Sequence, residues 1–396
     1  MHTKGMQAIK NKLIFCLIFM VTVLIAVALF CCEEAFAYAP TFTVVARDKR
    51  YDFSGEELGF YNGRYYLKCL EGVVDGIYYD TLVSPADATV SFQPNQAQAF
   101  TFTAEKSGSG IDRQKLIDDI NTALYGGKSQ VVATFKEIKP HVTVSYLKKF
   151  TNYRASFSTA YGTSISSRKH NVKLAVDKIN GSVLKKGEIF SFNEVVGERT
   201  EQNGFQNAVV IENGQFTEGV GGGVCQVSST LYNSALLSGV KVIERHAHSL
   251  LSNYVEPSFD AMVSGTAFDL KFINDTDGDL YIKGVADGNN ITFTIFGEKP
   301  SLRYERVSVT TMEIPPEDDE IISDGEMFIG ETLIVRKPKR GLKSEGYLVI
   351  YRNGERVKTI KLHSDVYKSV RGQVKVGKKP QKEISPDLID NGAPIV

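Results

Sequence analysis

A glycine-rich stretch that runs directly into a helical pattern is the feature that most constrains the fold of this chain. The stretch is Gly219-Val220-Gly221-Gly222-Gly223, and Cys225 follows two residues later. Apolar residues then recur at helical spacing from Gln226 to Leu237, and Gly239 supplies a C-terminal stop. The sequence therefore predicts a tight loop that places a thiol at the first turn of a helix.

A strand pattern after this helix brings two histidines back towards the thiol. Residues Val240 to His246 predict a strand of about 23 Å, close to the helix length of about 21 Å, so a reversal at Gly239 returns the chain to the helix start. On a strand, His246 and His248 would point to one face. A helix N-terminus and a nearby imidazolium both favour a thiolate. Cys225 is therefore a candidate nucleophile, with His248 as the first and His246 as the second candidate base.

Spacing does not identify the group that would orient the imidazole. Asp260, Asp269 and Glu244 are the candidates. Other interpretations of the thiol also stay open: Cys225 as a buried small apolar residue in a folding element, or Cys225 in a disulfide with Cys69. A zinc site formed with the two histidines lacks a fourth ligand, so we predict no metal and no cofactor.

Composition narrows the class of protein. The chain has 396 residues, enough for two to four domains. Lys plus Arg and Asp plus Glu both number 46, and this balance argues against a nucleic-acid partner, which would require a basic excess. Few cysteines lie beyond residue 37, so an exported protein of this size would not depend on disulfides.

The first residues have the pattern of a targeting segment. A basic start precedes an apolar run from Leu13 to Phe30, and Ala35-Phe36-Ala37 fits a signal-peptidase site. The run is also nearly long enough to span a bilayer. Residues 1–37 are therefore predicted to be a signal peptide or an uncleaved N-terminal membrane anchor, and both place the remainder outside the cytoplasm.

The remaining chain divides into modules by composition. We predict modules at residues 41–148, 155–299 and 327–376, an acidic linker or exposed connection at 313–326 with Pro315-Pro316, and a disordered tail at 377–396. Most segments carry strand residues between Gly or Asn turns. The predicted fold class is α+β and multidomain, with mixed β-rich modules and few helices.

Within the first module, the pattern favours strands over residues 41–108, including one at Tyr65-Tyr66-Leu67. A helix follows, because Leu116, Ile120 and Leu124 recur at a spacing of four. This module shows no cluster of titratable residues, so a binding or spacer role is favoured for it.

Residues 157–298 resemble the VanW family. The ordered matches include Arg168 with Asn171, Lys186-Gly187-Glu188-Ile189-Phe190-Ser191-Phe192-Asn193, Val196-Gly197-Glu198-Arg199-Thr200, the segment from Gly221 to Asn233, and Glu244-Arg245-His246-Ala247-His248-Ser249. Within them, Lys186 stands where the family usually has Pro. The chain departs from the family pattern at Ser258-Phe259, where Gly-Arg is usual, so no family role is carried onto Phe259.

Two flanking modules have resemblances of their own. Residues 80–148 are similar to a peptidoglycan-binding module found beside L,D-transpeptidase and VanW domains, through Pro85-Ala86-Asp87-Ala88 and Pro140-His141-Val142-Thr143. Residues 327–376 are similar to the small β-rich G-five module through Tyr351-Arg352-Asn353-Gly354 and Tyr367.

These resemblances imply an exported bacterial cell-envelope protein, wall-associated or membrane-anchored by its N-terminus, related to glycopeptide-resistance proteins, with peptidoglycan as its partner. The leading interpretation is that it binds peptidoglycan or acts as a scaffold at the cell wall. The alternative is a cysteine-dependent peptidoglycan amidase, peptidase or acyltransferase with a Cys225/His248 dyad, so the sequence leaves open whether the chain is an enzyme. Candidate binding residues within the matched motifs are Gly222, Gly223, Gln226, Arg245 and Ser249.

Overall fold

The computed structural model describes residues 41–61, 64–65, 67–212 and 215–380. The leader predicted over residues 1–37 and the predicted tail from residue 381 onward lie outside these ranges, so both stay predictions. Within the described ranges, no helix is both long and apolar enough to cross a membrane. The described elements are six helices and 24 strands in small sheets, which confirms the predicted α+β, β-rich multidomain class.

The described chain forms two compact units, one of residues 41–89 and 103–144 and one of residues 90–102 and 145–380. In the first unit, a three-stranded sheet and two helices share one core, in which Val44, Leu70 and Ile120 are fully buried. The elements of this unit are β1 (Phe42–Ala46), β2 (Lys49–Phe53), β3 (Phe60–Tyr61), β4 (Arg64–Tyr65), α1 (Leu67–Thr81), β7 (Gly108–Ile111), α2 (Arg113–Tyr125), β8 (Gln130–Val132) and β9 (Phe135–Ile138).

Helix α1 was not predicted within residues 41–108, which we expected to be β-rich. The helix begins at Leu67, inside the segment predicted to be a strand. Its buried face is formed by Leu70, Val74 and Ile77, spaced four and three residues apart and at most 2% exposed. Gly72 and Gly76 lie within this helix, and glycine disfavours helix interiors. Local propensity therefore does not indicate the helix, which is stabilised by the burial of its apolar face.

The second unit is built around a four-stranded antiparallel sheet of order β10-β18-β17-β11, against which two helices, α4 and α6, pack. Val176, Leu231 and Phe293 are completely buried in this core. The elements are β5 (Thr89–Phe92), β6 (Phe100–Thr103), α3 (Val144–Lys148), β10 (Asn152–Ala160), α4 (Ser166–Ile179), β11 (Val183–Leu184), β12 (Ile189–Ser191), α5 (Phe192–Val196), β13 (Asn207–Glu212), β14 (Gln215–Val220), α6 (Val224–Leu237), β15 (Lys241–Glu244), β16 (Lys271–Ile273), β17 (Leu280–Ala286) and β18 (Asn290–Gly297).

Helix α6 is the predicted helix after the glycine stretch, and it is buried on nearly every side. Its polar side chains are hydrogen-bonded inside the protein: Ser234 Oγ donates to the Phe293 carbonyl at 2.8 Å, and Asn233 Nδ2 donates to the Phe259 carbonyl at 2.8 Å. Buried polar groups with partners specify one position for an element. The start of α6, and with it Cys225, is therefore held rigidly.

The C-terminal part of this unit contains two three-stranded sheets, of orders β19-β22-β23 and β20-β24-β21. The first sheet shares the core of the unit, since Leu348 belongs to the same cluster as α6. Asn353 and Gly354 both have positive φ, 52° and 87°, as the predicted hairpin turn requires. The strands are β19 (Arg303–Ile314), β20 (Glu320–Phe328), β21 (Thr332–Arg336), β22 (Gly341–Arg352), β23 (Glu355–Tyr367) and β24 (Gln373–Lys379).

Two boundary predictions in this part are wrong. The predicted linker at residues 313–326 contains most of β20, which pairs in parallel with β24. The predicted tail began at residue 377, but β24 extends to Lys379. In both places charged residues hide a strand because its partner is distant in sequence and local composition carries no sign of the pairing.

Candidate active site

The glycine stretch places Cys225 at the second position of α6. Gly223 is the N-cap residue and has φ +104°, a conformation that side chains disfavour, and Gly221 has φ +87°. The thiol is partly exposed, and its Sγ lies 3.4 Å from the Val263 carbonyl oxygen. The loop thus presents a thiol at a helix N-terminus, where the helix dipole favours a negative charge.

His248 is the histidine that contacts this thiol. Its imidazole interacts electrostatically with the Cys225 thiol, and its Nδ1 lies 2.6 Å from Asp260 Oδ2. The backbone N–H of His248 donates to the same carboxylate oxygen at 2.7 Å. His248 is 5% exposed and Asp260 is 1% exposed. The three side chains therefore form a chain of thiol, imidazole and carboxylate, the arrangement of a nucleophile, a base and an orienting acid.

The pKa shifts within this triad favour a charged pair. Burial raises the pKa of the Cys225 thiol, but the interaction with His248 and its positive charge lower that pKa by a larger amount. The net pKa of the thiol therefore lies below the ordinary value. Burial lowers the pKa of His248, whereas its interactions with Asp260 and Cys225 raise that pKa to about 10. Both net shifts stabilise thiolate beside imidazolium, the reactive form of a cysteine nucleophile.

A buried network behind His248 fixes the carboxylate of Asp260. Arg245 donates from Nη2 to Asp260 Oδ1 at 2.7 Å and from Nε to the Asp260 carbonyl at 2.6 Å. Tyr367 Oη donates to Asp260 Oδ1 at 2.6 Å and accepts from the Ser258 N–H at 2.8 Å. Arg245 Nη1 lies 2.8 and 2.9 Å from the two Asp365 oxygens. Strand β23 of the C-terminal sheet, which carries Asp365 and Tyr367, therefore belongs to the site.

Asp260 is ionised because of these partners. Burial raises the pKa of its carboxyl group, but the hydrogen bond to His248 and the charge of Arg245 lower that pKa to about 2. The same burial raises the pKa of the Tyr367 hydroxyl well above its usual range, so the phenol stays a neutral donor. The carboxylate can then hold the imidazole in one orientation throughout the neutral pH range.

The other two candidate acids have different tasks. Asp269 accepts from Ser191 Oγ at 2.6 Å and from the Asn193 N–H at 2.9 Å, and it thereby holds the start of α5. Glu244 Oε2 lies 2.9 Å from Lys271 Nζ. Asp260 is therefore the candidate that the structure places at the imidazole.

His246 does not contact the thiol within the described part of the chain. Its Nε2 lies 3.1 Å from Glu244 Oε1, and its ring packs against the edge of Phe268. The predicted strand to His246 is too long, since β15 ends at Glu244. The backbone leaves the strand because the His246 carbonyl accepts from the Met262 N–H at 2.8 Å, so the two histidines share no strand face.

The predicted binding residues fall into two groups. Gly222, Gly223 and Ser249 line the cleft beside Cys225. Gln226 is 2% exposed, and its side chain bonds Arg168, Thr159 and the Ala160 carbonyl. The side chain of Arg245 is also 2% exposed, and it is paired with two aspartates. Gln226 and Arg245 therefore hold the architecture, while a binding role for the other three stays a prediction.

An open cleft of about 1880 Å³ leads to the thiol and the imidazole. Its wall includes Arg168, Arg199 and Tyr254, which sequence reasoning did not single out as site residues. Arg168 and Arg199 stand within matched family motifs, but no spacing connects them to Cys225. No sequence signal connects Asp365 and Tyr367 to this site, since they lie more than 100 residues from their partners. Tyr367 is noted in the sequence only as part of the G-five resemblance.

Two of the alternative chemistries can be compared with this geometry. Across the described residues, no group of three or more His, Cys, Asp and Glu side chains converges in a manner that could hold a metal ion. Cys69 and Cys225 are both free thiols, with Cys69 exposed on α1. The structure thus has neither a metal-type cluster in that part of the chain nor the considered disulfide.

Three family models match this chain in order. The "Putative peptidoglycan binding domain" matches residues 39–133, the "VanW like protein" model matches residues 167–296, and the "G5 domain" model matches residues 305–379. The triad residues Cys225, His248 and Asp260 all fall within the second match. The predicted resemblances and their arrangement are thereby confirmed.

Curated relatives agree with these matches. The uncharacterized protein YoaR of Bacillus subtilis is 30% identical over 251 residues, which cover 62% of this chain and 83% of the relative. The vancomycin B-type resistance protein VanW of Enterococcus faecalis is 30% identical over 161 residues, 39% of this chain and 57% of the relative.

Two solved G5 domains also match a fifth of the chain. The IgA1 protease G5 domain is 23% identical with a TM-score of 0.16, and the match covers 20% of this chain and 94% of that domain. The HP0197 G5 domain is 18% identical with a TM-score of 0.13, and the match covers 20% of this chain and 100% of that domain.

Proposed function

Because this chain belongs to the VanW family and carries a buried imidazole and carboxylate behind its helix-start cysteine, we propose that it is a cysteine-dependent acyl-transfer enzyme. The observation that carries the proposal is the Cys225–His248–Asp260 triad in an open cleft. A peptidoglycan peptide is the proposed substrate, since the chain also contains a match to a peptidoglycan-binding domain. The arrangement of modules fits a cell-wall-associated role.

The chemistry follows from the positions of the three side chains. The Cys225 thiolate bonds to a peptide carbonyl carbon, the carbon–nitrogen bond breaks, and the His248 imidazolium protonates the leaving amine. A water molecule or a second amine then gives a proton to His248 and attacks the thioester, which releases the thiolate. Water as acceptor gives hydrolysis, and an amine gives a new amide. Asp260 stabilises the imidazolium and holds the ring through Nδ1.

An oxyanion donor is available at the start of α6. The backbone N–H groups of Val224 and Gln226 donate to the carbonyls of Gly221 and Gly223. Among the described backbone groups, none accepts from the Cys225 N–H. First-turn amides of a helix lack intrahelical acceptors, and a donor next to the nucleophile suits a tetrahedral oxyanion, where one such bond contributes roughly 100- to 1000-fold in rate.

Peptidoglycan binding or scaffolding is the second candidate function, favoured by the match at residues 39–133. It is compatible with catalysis, because the match and the triad occupy different parts of the chain. Under both functions the protein acts outside the cytoplasm, and the predicted leader supplies export. Purified sacculi test this candidate: the full chain should sediment with them, and a chain that stays in the supernatant would contradict it.

Mass spectrometry of muropeptides incubated with the full chain tests catalysis. We expect shortened or cross-linked peptides, together with an acyl-enzyme adduct on Cys225. Cys225→Ala and His248→Gln should abolish both signals, and Cys69→Ala, which removes the exposed thiol on α1, should retain them. A wild-type chain that forms neither product nor adduct would overturn the catalytic proposal.

A further inference from the structure

Two arginines flank the glycine stretch that leads to Cys225. A Cβ added at Gly221 would lie 2.9 Å from Arg199 Cβ, and a Cβ added at Gly223 would lie 3.0 Å from Arg168 Cγ. Such separations are shorter than an ordinary van der Waals contact. The two glycines therefore permit the arginine stems to pack directly on the backbone that carries the nucleophile.

Both arginines have only neutral partners among the described residues. Arg168 donates to Ser164 Oγ at 2.6 Å and to Gln226 Oε1 at 2.7 Å. Arg199 donates to the Asn193 side-chain oxygen and lies 5.7 Å from the Phe192 ring. Neither arginine takes part in the described ion pairs.

The acids at the cleft form no described ion pair with either arginine. Glu194 and Glu198 line the cleft and are exposed, and no described ion pair joins either of them to an arginine. Asp269 is occupied by Ser191 and backbone amides. Arginine stays protonated even when burial lowers its pKa, as it does for Arg168 and Arg199. Two partly buried positive charges therefore line the cleft. The charge of Cys225 acts on both arginines and that of Asp269 on Arg199, but neither group forms a described ion pair with them.

We propose that Arg168 and Arg199 form a carboxylate-binding subsite beside Cys225, which selects acyl donors that carry a free carboxylate close to the bond under attack. This proposal rests on the proposed acyl-transfer function for its substrate class. The planar guanidinium matches a carboxylate through two parallel hydrogen bonds, and a ligand carboxylate would supply the ion-pair partner that neither arginine has among the described residues. Peptidoglycan peptides offer such groups at their C-terminus and on side chains, and amidation of either removes the charge.

Binding by the full-length Cys225→Ala variant tests the subsite without requiring turnover. Three synthetic stem peptides of one sequence are compared by calorimetry: the free acid, the C-terminal amide and the side-chain amide. We expect one amide to bind about 10- to 100-fold more weakly than the free acid, as the loss of charged hydrogen bonds implies. The amide that loses affinity identifies which carboxylate the subsite takes.

Arginine variants in the same background assign the effect to these residues. Arg168→Gln and Arg199→Gln should each abolish most of the difference between acid and amide, and Arg168→Lys should retain part of it, because it keeps the charge but not the planar fork. Lys271→Gln is the matched control, since Lys271 lines the cleft but is paired with Glu244 at 2.9 Å. Thermal melts check that each variant is folded.

Three outcomes would overturn the subsite. Equal binding of the acid and both amides is one. Another is an equal loss of the difference between acid and amide in Lys271→Gln, because the preference would then come from the overall positive charge of the cleft. The third is an undiminished difference in affinity between the acid and the amides in both Arg168→Gln and Arg199→Gln. Failure of catalysis itself would appear separately, as a wild-type chain that binds the acid selectively but forms no adduct.

Discussion

Arginine has opposite surroundings on the two sides of the Cys225–His248 pair. On the closed side, Arg245 is 2% exposed in its side chain and contacts the carboxylates of Asp260 and Asp365. On the cleft side, Arg168 and Arg199 have hydroxyl and amide partners within the described residues. Arg245 therefore has two carboxylate partners in the protein, while Arg168 and Arg199 have no described ion-pair partner at the cleft.

This difference indicates which interactions build the site and which remain for a ligand. A buried ion pair with every hydrogen bond satisfied contributes little net stability but fixes geometry, and removing one partner is costly. An arginine in a cleft without an ion-pair partner does not fix geometry in this way, because it forms its ion pair only when an anionic ligand binds. The closed side therefore orients the imidazole, and the cleft side is suited to select the substrate.

Removal of the Asp260 carboxylate should have the largest effect on the closed side. Asp260→Asn takes the acceptor from His248 and one counter-ion from Arg245, so we expect acyl transfer to fall by roughly 10²- to 10⁴-fold and the free energy of unfolding to fall by roughly 3 kcal/mol. Urea denaturation and the muropeptide assay measure the two effects. Asp269→Asn is the matched control for activity, since Asp269 bonds Ser191 instead of the imidazole. Full activity in Asp260→Asn would show that the network is only structural.

The pH dependence of alkylation should reveal the charge on the thiol. In a Cys69→Ala background, the iodoacetamide rate of Cys225 should rise with a midpoint below about 8.5, the free-thiol value, because His248 lowers the thiol pKa. His248→Gln removes that positive charge and should move the midpoint upwards. The same midpoint in the wild-type imidazole background and in His248→Gln would show that His248 does not lower the pKa of the thiol.

Loss of the Tyr367 hydroxyl should have a smaller effect. Tyr367→Phe removes the donor to Asp260 and the acceptor of the Ser258 N–H, so we expect a loss of about 1–3 kcal/mol in unfolding free energy. Activity should fall with it and recover little at any pH. Tyr347→Phe, whose hydroxyl bonds Glu345 at the surface of the same sheet, should leave both quantities unchanged. If Tyr367→Phe and Tyr347→Phe had the same stability and activity, β23 would not contribute to the site.

The smallest effect is expected at the other histidine. His246→Gln breaks a partly exposed contact with Glu244, and such surface pairs contribute about 0–1 kcal/mol. Acyl transfer and the Cys225 alkylation midpoint should both stay at wild-type values. A large loss in either would mean that the cleft rearranges to use His246 as a base.

Local patterns predicted the parts of the site that are close in the chain. The glycine stretch and the apolar spacing after it indicated that Cys225 starts a helix, and the returning strand pattern placed a histidine near it. The same reasoning could not choose among Asp260, Asp269 and Glu244, because each is an acid that follows Cys225 in the chain and the spacing does not exclude any of them. It also extended β15 to His246, whereas the strand ends at Glu244 and the His246 carbonyl accepts from the Met262 N–H.

The sequence by itself determined the β-rich class, the family and the thiol at the start of α6, because these depend on short-range spacing and on ordered motifs. Only the tertiary structure decided that Asp260 orients His248 and that β23 supports it. Asp365 lies 120 residues from Arg245, and Tyr367 lies 107 residues from Asp260. Contacts over such separations are set by how sheets and helices pack around a common core, and no local period of the chain encodes them.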